Sequence, residues 1–191
     1  MTNIQTLLNR IRILTWLFII GLVFSGATAI PLTSEVDWLV KITRAKDSIA
    51  PSKPLACAAW LTRVQTSLNE TARGYPFLFY GTDWLAFGHF VIALAFVGAL
   101  IDPVRHRWLF TFGIAACLLV IPYATIFGAI RGIPWWWRGI DCSFGIFAIV
   151  PLWFCRKWAA ICETQVRRSR TLACISDALK RAPRFHEPGK R

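Results

Sequence analysis

The fold class this sequence predicts is all-α integral membrane protein: a four-helix transmembrane bundle with a short helical extracytoplasmic cap and an amphipathic cytoplasmic tail. Three observations predict it. Hydrophobic residues make up 55% of the 191 residues and charged ones only 17%, more apolar matter than a soluble domain of this size needs for its core. The apolar residues fall in four blocks, 13–33, 84–101, 108–130 and 139–155. Each is nearly free of charge and about 17 to 23 residues long, close to the ~20 that cross ~30 Å of hydrocarbon as a helix. The basic residues, finally, are sorted by those blocks.

With four spans, both termini and the 102–107 turn share one side, which collects Arg10, Arg12, Arg105, Arg107 and ten Lys and Arg after Cys155. The other side holds six in the 34–79 loop, plus Arg131 and Arg138. This excess predicts termini in the cytoplasm and the 34–79 loop outside. A net charge of +12 would also suit nucleic acid, but it follows the membrane rather than a binding stripe, so no nucleic-acid partner is expected. Residues 1–160 read as a single four-span membrane domain and 161–191 as a basic cytoplasmic tail.

The first block has a rival reading. Arg10 and Arg12, the apolar run 13–24 and Ala27-Thr28-Ala29 mimic a secretory signal, and its removal would leave three spans. The apolar run continues through Ile30, Pro31 and Leu32, which suits an uncleaved anchor better. After it, Ser34 with Glu35 and Asp37 reads as a helix start, with Val36, Leu39, Val40 and Ile42 on one face. A second amphipathic helix opens at Pro54, carries Trp60, Leu61, Val64 and Leu68 at helical spacing, and stops at Gly74. Together they form the outer cap.

The aromatic run Tyr75 to Trp84 and the triplet Trp135-Trp136-Trp137 mark the headgroup boundary on the second and fourth spans. In span two, Gly88, Ile92, Ala95 and Ala99 form a small-residue stripe for close helix approach. Asp102-Pro103 reads as a cap followed by proline at the first helical position, and Ile133-Pro134 starts span four likewise. Pro122 inside span three removes a hydrogen bond to the Leu118 carbonyl and predicts a kink. From Arg156 to Arg181, Trp158, Ile161, Cys162, Val166, Leu172, Ile175 and Leu179 oppose a basic face, the pattern of a helix lying on anionic lipid. The last ten residues read as disordered.

Chemistry is expected where charge meets the apolar blocks. Asp83 enters span two, while Arg131, Arg138 and Asp141 join spans three and four, and the topology brings all four to the outer side. An ionised group costs roughly 3 kcal/mol at the bilayer centre and less near its surface, so these groups should face one another or water. The expected network pairs Asp83 with Arg138 between helices and Arg138 with Asp141 within one. Two readings stand: the network pins spans two and four in register, or it forms an outward pocket where arginines hold an anionic headgroup or carboxylate and an aspartate accepts a proton. His89 lies about 9 Å deeper than Asp83 and on another face of the helix. A buried hydrogen bond to a neighbouring helix is its ordinary explanation and proton handling the alternative.

No cofactor or metal is expected. His106 and His186 are misplaced to join His89 on a haem, and the six cysteines show no metal-like spacing. Cys57 and Cys142 alone could meet outside as a disulfide; buried free thiols are the alternative. Cys142 and Ser143 adjoin Asp141 but point away from it, so no triad is assigned.

The blocks Tyr80-Gly81-Thr82-Asp83-Trp84-Leu85-Ala86-Phe87, Asp102-Pro103-Val104-Arg105, Arg131-Gly132-Ile133-Pro134 and Ile140-Asp141-Cys142-Ser143-Phe144-Gly145 resemble an uncharacterised group of bacterial four-span inner-membrane proteins. The resemblance covers roughly residues 60–156, implies a multi-pass inner-membrane location, and supplies no activity. Three functions are expected in order. The first is binding of a lipid-like or small anionic molecule at the outer cluster, and the second a membrane enzyme using aspartate or His89 on a hydrophobic substrate. The third is an assembly subunit with a homo-oligomeric or membrane-protein partner.

Overall fold

The computed structural model describes residues 4–43, 45 and 56–181, and no strand occurs among them. In chain order the elements are α1 (Ile4–Ala29), α2 (Leu32–Ile42), α3 (Ala56–Gly74), a 3-10 turn (Pro76–Phe79), α4 (Tyr80–Ile101), α5 (Arg107–Ile130) and α6 (Trp135–Arg181). Four helices, α1, α4 with its 3-10 turn, α5 and α6, are long and apolar enough to cross a membrane. Their outward side chains are large and apolar: Leu94, Leu119 and Phe147 are 71%, 67% and 75% exposed. Water would disfavour such a surface, whereas lipid solvates it.

The predicted spans 84–101, 108–130 and 139–155 lie within α4, α5 and α6, whereas the first, 13–33, is cut: α1 ends at Ala29, residues 30 and 31 form a turn, and Leu32 opens α2. α2 starts at Leu32 instead of Ser34, because the Pro31 carbonyl already accepts from Glu35 N at 2.9 Å and no side chain caps the helix. α5 starts at Arg107, and Pro103 is not its first residue. Instead Asp102 to His106 forms a closed turn, in which Asp102 Oδ1 accepts from Arg105 N (3.0 Å) and Asp102 O from His106 N (3.1 Å). The expected helix start at Pro54 and the expected disorder of 182–191 lie outside the described residues.

Contacts divide the chain into two compact units, one comprising Met1–Thr15 with Gly98–Arg191 and the other Trp16–Val97. In the Trp16–Val97 unit, the later part of α1 runs antiparallel to α4. Phe18 packs on Phe96 with ring centroids 4.7 Å apart, and Gly26 lies so close that a Cβ there would meet Ala86 O at 3.0 Å and Phe90 Cε1 at 2.9 Å. The contact stripe of α4 in this unit is therefore Ala86, Phe90, Ala93 and Phe96; of the predicted stripe Gly88, Ile92, Ala95 and Ala99, only Ala99 is buried. Gly88 is about 200° round the helix from Ala86 and meets nothing. α2 and α3 pair through Asp37, whose Oδ1 accepts from Gln65 Nε2 (2.7 Å) and Asn69 Nδ2 (3.3 Å), beside buried Val40, Ala58 and Leu61.

In the other unit, α5 and α6 form an antiparallel hairpin. Its turn follows from Gly132, whose φ of 69° is open to glycine at little cost. Gly132 N donates to Ala129 O (3.1 Å) and Ile133 N to Gly128 O (2.8 Å), the paired bonds of a Schellman motif that satisfy the last α5 carbonyls. Pro134 then blocks further α5 helix and its carbonyl receives Arg138 N at 3.1 Å. Down the hairpin, a Cβ on Gly145 would sit 2.8 Å from Cys117 O, so the two backbones approach closely there.

α6 carries Pro151 as well as a second feature absent from the sequence reading: it runs 47 residues without interruption. At 1.5 Å per residue it is about 70 Å long, more than twice a hydrocarbon core. The tail segment is thus an extension of the fourth span. Along α6, Leu152, Cys155, Ala159 and Cys162 are buried, with Cys155 Sγ donating to Ile11 O at 3.8 Å, whereas Ile161, Leu172 and Ile175 of the expected apolar face are exposed. Arg10 sits over the Trp158 ring at 5.9 Å, and Arg12 donates to Leu100 O and Ile101 O at the end of α4. A cation at those carbonyls complements the helix dipole.

Candidate functional site

The Schellman turn decides where Arg138 goes. By reversing the chain directly after α5, it lays the second turn of α6 against the last turns of α5, with the Arg138 stem crossing Gly128. A Cβ at Gly128 would sit 2.5 Å from Arg138 Cδ and 2.7 Å from Cγ, so only glycine leaves room for this route. The guanidinium reaches the α5 backbone, where Nη1 donates to Thr125 O at 3.0 Å. Its Nε is buried and has no partner among the described residues.

The expected Arg138–Asp141 ion pair does not form. Both ion pairs among the described residues are made by Glu163, to Arg107 and Arg167, each at 2.9 Å. The reason is geometric: once its stem crosses Gly128, the Arg138 fork is directed to Thr125 on α5 and away from its own helix. Asp141 is left half-buried, with no side-chain hydrogen bond or ion pair among the described residues. Arg131 ends α5 and is exposed. Cys142 Sγ turns to Ile121 O (3.9 Å) and Ser143 Oγ to Ile140 O (2.6 Å), so each is engaged with backbone. All six cysteines, Cys57 and Cys142 included, are free.

Asp83 belongs to the Trp16–Val97 unit and is described there; its expected pairing with Arg138 joins residues of different units. It lies in the first turn of α4, where a carboxylate complements the helix dipole. With Tyr80, Trp84 and Phe87 it lines a shallow hollow of about 250 Å³, whose rings meet edge to face at 5.9 and 5.5 Å. His89 Nδ1 lies 2.8 Å from Leu85 O, a bond within one turn of its own helix. The expected buried bond to a neighbouring helix is therefore not made by this nitrogen, because the Leu85 carbonyl one turn earlier lies within its reach.

Gly128 and Thr125 were missed as determinants of the site. Gly128 carried a signal, since a glycine ten residues before Arg138 in a hairpin turning at 131–134 falls opposite it. Thr125 contributes only a backbone carbonyl, which no side-chain pattern reports. No protein-family model matches the chain, nor does any curated protein or solved structure. What defines its class is therefore internal: an all-helical chain with four helices able to cross a membrane and cationic and acidic side chains at helix ends.

Proposed function

We propose that this is a multi-pass protein of the bacterial inner membrane that holds a lipid-like or small anionic molecule at Arg138, on the outer side. The unpartnered, buried Nε of Arg138 carries this reading. A buried charged donor left unsatisfied costs upwards of 1–3 kcal/mol, and an anionic oxygen at the fork would remove that cost. Arg131 at the end of α5 adds positive charge to the approach, and the unpaired Asp141 carboxylate is the group that would accept a proton from a bound acid. The excess of Lys and Arg at the termini and the 102–107 turn supports cytoplasmic termini, which puts the α5–α6 turn outside. The resemblance of residues 60–156 supports the inner-membrane location.

Native mass spectrometry of the protein purified in mild detergent tests this. Wild type is expected to carry a bound anionic species that Arg138→Ala loses while helicity and monodispersity persist. An unliganded wild type, or a species retained by a folded Arg138→Ala, overturns the proposal.

A further inference from the structure

The opposite end of the α5–α6 hairpin holds a second basic site. The hairpin's antiparallel register sets Arg107, the first residue of α5, opposite the stretch of α6 that leaves the apolar block. There Arg107, Trp153, Arg156, Lys157, Ile161 and Thr164 line a cavity of about 400 Å³, within the ~300–1,000 Å³ of small-ligand sites. On α6 these residues recur three and four apart, so they form one face, distinct from the buried stripe of Leu152, Cys155, Ala159 and Cys162.

The charges there are held but not neutralised. Arg156 Nε donates to Thr111 Oγ1 at 3.0 Å, which ties its stem to α5 and leaves both Nη groups without a partner among the described residues. Lys157 Nζ sits 4.9 Å from the centre of the Trp153 ring and makes no ion pair among the described residues. Arg107 is paired with Glu163, Nη1 to Oε2 at 2.9 Å. Three cations and one adjacent carboxylate leave an excess of two positive charges. The depth is also informative: residues 142–155 carry no charge, so Arg156 and Lys157 are the first cations past the apolar stretch, at headgroup level, with Trp153 one turn deeper.

We infer that this groove binds the phosphate of an anionic glycerophospholipid, with Arg156 and Lys157 on the phosphate, Arg107 at its edge and Trp153 against the upper acyl chain. Arginine supplies the paired donors that fit phosphate oxygens and lysine a point charge. The exposed Trp153 and Ile161 give the lipid an apolar wall that a free phosphate would not use. The site is independent of Arg138, so each stands or falls alone.

The test titrates full-length protein in detergent with phosphatidylglycerol, phosphatidylcholine and inorganic phosphate, read by native mass spectrometry. Each cation near the membrane surface contributes about five-fold in affinity, so Arg156→Gln with Lys157→Gln should weaken phosphatidylglycerol about 25-fold. Removing two tail charges with Arg168→Gln and Arg170→Gln should change it less than about three-fold. If the first pair unfolds, Lys157→Gln alone, which removes an ammonium lying over the Trp153 ring, should lose about five-fold. Equal losses in the control, equal binding of phosphatidylcholine, or displacement of the lipid by millimolar phosphate each overturn the inference.

Discussion

Gly128→Ala is the sharpest perturbation of the α5–α6 hairpin. The new Cβ would lie 2.5 Å from Arg138 Cδ and 2.7 Å from Cγ, nearly 1 Å inside ordinary carbon contact. Because those atoms are the stem and not the tip, the side chain must leave its path, taking Nη1 away from Thr125 O. Overpacking costs about 1–3 kcal/mol and a lost hydrogen bond to a charged group about 1.5–3, while replacing glycine in a helix returns up to about 1. The balance is a destabilisation of roughly 1.5–5 kcal/mol. Reversible unfolding in mixed micelles, followed by circular dichroism, measures it. Gly139→Ala, where a Cβ meets nothing within 4 Å, is the control and should be neutral or stabilising by up to about 1 kcal/mol. The decisive arm is a double-mutant cycle: with Arg138→Ala already present, the clash has no partner, and Gly128→Ala should lose most of its cost. An undiminished cost in that background refutes the reasoning.

Gly145→Ala should also destabilise, by about 1–3 kcal/mol, and should not be rescued by Arg138→Ala, since its Cβ would face the Cys117 backbone oxygen at 2.8 Å, which can yield only if α5 and α6 separate; the same unfolding assay reads it. The natural cysteines report orientation: Cys57 and Cys174 are exposed, so a membrane-impermeant maleimide should label Cys57 in intact spheroplasts and Cys174 only after permeabilisation. The reverse pattern would invert the proposed topology and move Arg138 to the cytoplasmic side.

Element existence was legible because bilayer-length apolar blocks have one helical solution: four crossing-length helices appear, three containing their predicted blocks and the first shifted to Ile4–Ala29 from 13–33. Partner choice was not. Arg138 and Asp141 are three residues apart, so a local ion pair was the natural expectation, yet the absence of a side chain at Gly128 turns Arg138 to another helix. Most of the stripe on α4 was misplaced for a similar reason: small residues recur on more than one face, the Gly26 contact selects Ala86, and of the predicted residues Ala99 alone is buried. Helix α6 continues to Arg181, but Arg107 and Arg156 come together only through the hairpin's register.

By itself, then, the sequence determined the helical class, the four crossing-length elements and the turn chemistry of Gly132 and Pro134, because hydropathy and backbone preference act over a few neighbouring residues. Tertiary structure alone decided which carbonyl Arg138 meets, that Asp141 stays unpaired among the described residues, and that three cations gather on one groove. Those outcomes depend on the register and separation of packed helices, set by contacts at Gly128 and Gly145 that lie 10 and 28 residues from their partners.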